Sequence, residues 1–135
     1  VLKPVDTGAS IVVCSTCRLS DGEREDADGR RGGALLYSAL EAALASHPCS
    51  GRLALQRMPC LFACTRHCTV QLRAPGKISY VLGGLRATAA DAAALLDFAY
   101  RYVRSDIGVV PYNEWPQGIK GHFVTRSPPD GFVVV

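Results

Sequence analysis

Residues 10–17 read SIVVCSTC, a short apolar run rich in β-branched side chains that ends in one cysteine and reaches a second three positions later. Such side chains are stiff at χ1 and suit a pleated surface, so 10–14 reads as a buried strand ending at Cys14. The next stretch, RLSDGEREDADGRRGG (18–33), mixes five acids, four arginines and several glycines and reads as a solvated loop. ALLYSALEAALASH (34–47) puts Leu36, Leu40, Ala43 and Leu44 on one helical face. His47-Pro48 closes that helix, because the residue before a proline is pushed out of helical geometry. LALQRM (53–58) then alternates apolar and polar as a half-buried strand does, and Pro59 stops it. Strand, helix, strand predicts a parallel pair, and this unit decides the fold.

Outward from it, TVQLR (69–73), a turn at APGK (74–77) and ISYVLG (78–83) read as a hairpin. TAADAAALLDFAYRYVRSD (88–106) is the clearest helix: Thr88 with Asp91 is a capping signal, and Ala92, Leu95, Leu96, Ala99, Tyr102 and Val103 trace one apolar face. The expected order is β-α-β-β-β-α, an α/β arrangement with two helices packed on a mixed sheet of four strands, as in a thioredoxin-like domain. The core spans about 10–106. The tail, 107–135, holds four prolines and reads as ordered but irregular. The 135 residues are expected to form one domain, 1–135.

The hydrophobic fraction of 48% is that of an ordinary globular chain, large enough to build a core without covalent staples. The start, VLKPVDTGASIVVC, shows no charged segment followed by a long apolar run and a cleavage site. No stretch is apolar for long enough to span a membrane, so no membrane partner is expected. These readings together place the protein in a reducing cytoplasm, where clustered cysteines serve as metal ligands or catalytic thiols more often than as disulfides. The net charge of +3 comes from scattered lysines and arginines without a dense block or interleaved aromatics, so no nucleic-acid partner is expected.

Five of the six cysteines fall in two short stretches, VCSTC (13–17) and CLFACTRHC (60–68). If the first two strands run parallel as neighbours, the loops carrying Cys14 and Cys17, and Cys60, Cys64 and Cys68, leave the sheet at one edge. Four thiolates in two close pairs suit a tetrahedral zinc ion or an iron–sulfur cluster. A third reading takes CSTC as a redox dithiol. The loop after Cys17 weighs against it, since redox thiols are commonly activated at a helix N-terminus and the expected helix begins some sixteen residues later.

VCSTC at the end of a first strand and CLFAC after a second, running into a hairpin, resembles the thioredoxin-like 2Fe–2S ferredoxins, including the corresponding small subunit of respiratory NADH dehydrogenase. More closely, VCSTCR, PCLFACTRHCTVQL, APGKISYVLGGL and GVVPYNEWPQGIKGHFVTRSPP resemble a bacterial metal-binding domain-of-unknown-function family often encoded near cobalamin-biosynthesis genes. That resemblance covers nearly the whole chain from about residue 11. It implies service to cobalamin metabolism, whereas the ferredoxin resemblance implies a one-electron carrier with a 2Fe–2S cluster on Cys14, Cys17, Cys60 and Cys64, with Cys68 as the alternative to Cys17. It further implies redox partner proteins, a homodimer and no catalytic activity of its own. Two positions depart from the ferredoxin pattern: Phe62 stands where those proteins commonly have glycine, and Cys68 where they often have proline. The alternatives are a zinc- or cobalt-binding delivery or structural protein, and a thiol-disulfide oxidoreductase using Cys14 and Cys17.

The absence of G-x-G-x-x-G, P-loop, G-x-S-x-G and zinc-protease motifs agrees with a carrier rather than an enzyme. Arg66 and His67, between the last two cysteines, are candidates for electrostatic tuning of a cluster. Cys49, His47 and His122 read as structural. Trp115, with Tyr112 and Pro116, reads as packing the tail onto the body, or else as a dimer contact.

Overall fold

The computed structural model describes residues 1–63 and 65–135. Its elements are β1 (Ser10–Cys14), α1 (Gly32–Leu44), β2 (Ala54–Met58), β3 (Val70–Arg73), β4 (Ser79–Leu82), α2 (Ala89–Arg104) and β5 (Phe123–Ser127). They form a five-stranded sheet in the order β2-β1-β3-β4-β5. β1 runs parallel to β2, with Cys14 opposite Met58, and every other neighbouring pair is antiparallel.

Alternation along the strands builds the core. Ile11, Leu72 and Tyr80 are cross-strand partners in one row, and Val13, Val70 and Leu82 in the next. All six are buried in the hydrophobic core, together with Leu36 and Leu40 of α1 and Leu95, Leu96, Phe98 and Tyr102 of α2. The two helices pack on one another over these rows. Thr88 caps α2 by accepting from the Asp91 backbone N–H at 3.2 Å, while the Asp91 carboxylate accepts from the Arg86 N–H at 2.7 Å. Thr88→Ala is expected to cost about 1 kcal/mol in urea unfolding, the usual worth of an N-cap.

The β3–β4 hairpin turns at Pro75-Gly76, where Gly76 has φ +71° and the Lys77 N–H donates to the Ala74 carbonyl. Proline followed by a positive-φ glycine is the pairing this tight turn requires. Helix α1 begins two residues before the expected start and ends at Leu44, not His47. The chain then turns sharply, with the Cys49 N–H donating to His47 Nδ1, while His47 Nε2 lies 2.7 Å from Asp97 of α2.

The tail departs from the irregular segment expected. Phe123–Ser127 extends the sheet to five strands by pairing with β4. Its largely exposed Val124-Thr125-Arg126-Ser127 lacks the alternation that marks a half-buried strand, because it pairs along an edge through backbone groups. Trp115 packs the tail onto the body: its ring centroid lies 5.8 Å from Phe98 and 4.6 Å from Phe123, and its indole N–H donates to the Val110 carbonyl.

Candidate functional site

Parallel pairing of β1 and β2 carries both cysteine loops out at one edge. The Ser15 N–H donates to the Met58 carbonyl and the Cys14 N–H to the Thr69 carbonyl, tying the end of β1 to both neighbouring chains. The Thr16 hydroxyl donates to the Pro59 carbonyl and links the two loops directly. Cys14, Cys17 and Cys60 line one cavity of about 240 Å³ there. Cys64, the fourth ligand expected, lies outside the described residues. A larger cleft of about 490 Å³ opens at the other end of the sheet, near Gly8, Arg73 and Pro129, and among the described residues no cysteine or histidine lines it.

The sulfurs in this cavity already have partners. The Thr69 N–H donates to Cys17 Sγ at 3.5 Å, with the Thr69 hydroxyl 3.0 Å from the same sulfur. The Phe62 N–H donates to Cys60 Sγ at 3.3 Å. N–H groups aimed at sulfur stabilise thiolate charge, as the outer partners of metal–thiolate sites do. Among the described residues, no three Cys, His, Asp or Glu side chains form a closed metal cage; the thiols stand around a cavity instead.

Cys14 and Cys17 shift one another in opposite directions. The hydrogen bond from Cys17 holds the Cys14 thiol well below its ordinary value, and the same bond, reinforced by burial, pushes Cys17 up. The other thiols differ. Cys68 is fully buried, its Sγ directed to the Arg18 carbonyl at 3.8 Å, and burial pushes it up to about 11. It does not line the cavity. Cys49 is buried beyond the C-terminal end of α1, and burial likewise raises it to about 11.

Two residues of the second cysteine loop have left-handed backbones: Phe62 at φ +58° and Cys68 at φ +49°. Glycine adopts this region freely, whereas a bulky side chain such as that of Phe62 seldom does. Proline is locked at about −65° and cannot adopt it, so this loop path excludes proline at Cys68.

The sequence reading passed over two Gly-Gly pairs that build this edge. Gly32 and Gly33 open α1, and the loop 18–33 folds back so that the Gly33 N–H donates to the Cys17 carbonyl. A β-carbon on Gly33 would lie 1.8 Å from the Cys14 carbonyl oxygen, and one on Gly32 2.4 Å from that of Arg18. The first turn of α1 therefore sits directly on the Cys14–Leu19 backbone. That removes the argument from chain separation against a dithiol: residues sixteen apart in sequence are in contact. Gly83 and Gly84 play the same part for the second loop, where a β-carbon on Gly83 would meet the Arg66 side chain at 2.8 Å and the Gly84 N–H donates to the His67 carbonyl. His67 itself turns toward the Leu85 carbonyl at 3.1 Å, and His122 toward that of Gly83 at 2.9 Å. Glycine doublets flanking a helix start and a strand end were the available signal.

A mixed sheet with two helices on one face and a thiol-lined edge after β1 and β2 defines a thioredoxin-like α/β protein. The fold is similar to that of a thioredoxin-like [2Fe-2S] ferredoxin from Aquifex aeolicus, with a TM-score of 0.57 at 14% identity, covering 95% of this chain and 100% of that one. Residues 11–129 match the family described as protein of unknown function (DUF1636), and the chain belongs to that family. No curated protein matches the sequence. No helix among the described residues is long and apolar enough to cross a membrane.

Proposed function

We propose that the protein is a one-electron carrier holding a single 2Fe–2S cluster on Cys14, Cys17, Cys60 and Cys64. The observation that carries this reading is the shared cavity of about 240 Å³, lined by three of these thiols from two loops. A single zinc ion draws four sulfurs to about 2.3 Å from one point; a cavity of about 240 Å³ has room for a larger group. When bound, such a cluster accepts and returns one electron at a time. The chain's own residues supply the rest: Thr69 and Phe62 hold N–H groups on two sulfurs, and Arg18 and Arg31 line the same cavity and offset thiolate charge. Cys17 lines the cavity and Cys68 does not, which supports Cys17 as the fourth ligand. The carrier has no catalytic residues of its own and works in the cytoplasm, as a homodimer, with redox partner proteins.

The test is the visible spectrum of protein purified without air, with iron and acid-labile sulfide counted on the same sample. Bands that bleach on dithionite, with two irons and two sulfides per chain, are expected. A colourless protein with one zinc overturns the reading. The family resemblance adds cobalamin metabolism as the setting. There, pre-reduced and desalted protein is expected to reduce a cobalt(III) corrin, and failure to do so removes that setting.

A second reading, a thiol-disulfide oxidoreductase, is favoured by the first turn of α1 beside the two thiols and by the lowered Cys14 thiol next to Cys17. In metal-free protein, iodoacetamide at pH 6 is expected to alkylate Cys14 ahead of Cys49 and Cys68. The lowered group is ionised where an ordinary thiol is protonated, whereas the two raised groups stay protonated until near pH 11. Peptide mapping reads the order. Disulfide-reductase turnover by metal-free protein, lost in Cys14→Ser, would establish this reading over the carrier.

A further inference from the structure

We infer that the cysteine edge is the docking face for a partner protein with a carboxylate-rich surface; this rests on the carrier reading. Arg18, Arg24 and Arg31 from the loop 18–33 and Arg66 from the second cysteine loop converge on the cavity that holds the thiols. Among the described residues, no carboxylate lines that cavity. Among the described residues, none of the four forms a salt bridge, although the chain makes such bridges elsewhere, at Arg30 and Arg86. Arg31 and Arg18 donate to backbone carbonyls of Thr16 and Asp21, which position their guanidinium groups without neutralising them. Of the five acids of the same loop, Asp26 and Asp28 pair with Arg30, and none of the five is among the residues lining the cavity.

At the same mouth Phe62 is 93% exposed, its backbone held in the left-handed region. Arginine and aromatic residues are the side chains that dominate protein–protein contacts. A strand of nucleic acid is a poorer fit, since it follows an extended basic groove with several stacking rings, whereas here four cations line one cavity and a single exposed aromatic follows Cys60 in the second loop. Arginine charge persists at every physiological pH, and a field of one sign in a cleft steers oppositely charged partners and falls steeply with salt.

The test uses the intact, cluster-loaded protein, reduced and desalted, with stopped-flow oxidation by ferricyanide, an anion, and by hexaamminecobalt(III), a cation. Ferricyanide is expected to slow about tenfold as salt rises from ~10 to ~200 mM, while the cation speeds up. In Arg24→Gln/Arg66→Gln, which leaves the Arg31 and Arg18 hydrogen bonds in place, both dependences are expected to flatten with the visible spectrum unchanged. Hexaglutamate is expected to protect the wild type against ferricyanide and the double variant much less. Rates indifferent to oxidant charge in a protein with a bleachable cluster overturn the docking face alone. Equal protection by a single-stranded DNA dodecamer overturns it in favour of a phosphate polyanion. A sample with no bleachable band before oxidant is added overturns the carrier reading, and the docking face with it.

Discussion

Serine in place of Cys14 is expected to remove the visible bands and to lower bound iron and sulfide at least ~10-fold, beyond the effect of disturbing an outer partner of a metal ligand. Cys14 is held at the end of β1, hydrogen-bonded through its backbone N–H to Thr69, and its thiol is the one kept most readily ionised. Cys60→Ser is expected to behave alike. Cys49→Ser, buried away from the edge, is expected to leave spectrum and iron content unchanged. The informative pair is Cys17→Ser and Cys68→Ser. Cys17 lines the cavity and accepts from the Thr69 N–H, so its loss is expected to abolish loading. Cys68 faces the Arg18 carbonyl beneath the loop, so its replacement is expected to lower stability while iron and sulfide stay at the wild-type ratio. Loading lost in Cys68→Ser and kept in Cys17→Ser would exchange their roles.

Gly33→Ala is expected to be the most damaging single methyl group in the chain. The added carbon would stand 1.8 Å from the Cys14 carbonyl oxygen, a backbone atom in a sheet strand that cannot swing aside as a side chain can. Either α1 shifts outward or the Cys14–Cys17 loop is displaced, and both separate elements that the Gly33-to-Cys17 hydrogen bond joins. Overpacking of this kind costs about 3 kcal/mol, which corresponds to a fall in melting temperature of about 10 °C. Iron retention after desalting is expected to fall with it. Gly8→Ala is the control, since a β-carbon there meets nothing within 4 Å. Equal melting temperatures for the two variants would show that the first turn of α1 does not press on the cysteine loop.

Much of the frame was legible because local chemistry and burial agree. The run at 10–14 became β1 without a boundary change, since both its neighbours in sequence and its place inside the sheet favour a buried strand. Thr88 with Asp91 starts α2, and Pro75-Gly76 turns the hairpin, because capping and turn geometry are decided within four residues. β5 was not legible: a strand that joins an edge mainly through backbone hydrogen bonds needs no particular side-chain pattern. The end of α1 was misplaced by three residues because His47 satisfies the Cys49 N–H and reaches Asp97 on α2, a contact fifty residues away in sequence.

The sequence by itself determined the class of chemistry and the scaffold: five cysteines in two stretches, each following a strand of a β-α-β unit, on a chain long enough to bury its own core. These depend on residue type and short-range periodicity, which a sequence displays. Only the tertiary structure decided which thiols face one another, that Cys68 lies beneath the edge, that α1 starts against the Cys14–Cys17 loop, and that four separated arginines surround the mouth. Each of these turns on a loop folding back over the sheet, and that path is selected by close approach at Gly33 and Gly83, contacts between residues far apart along the chain.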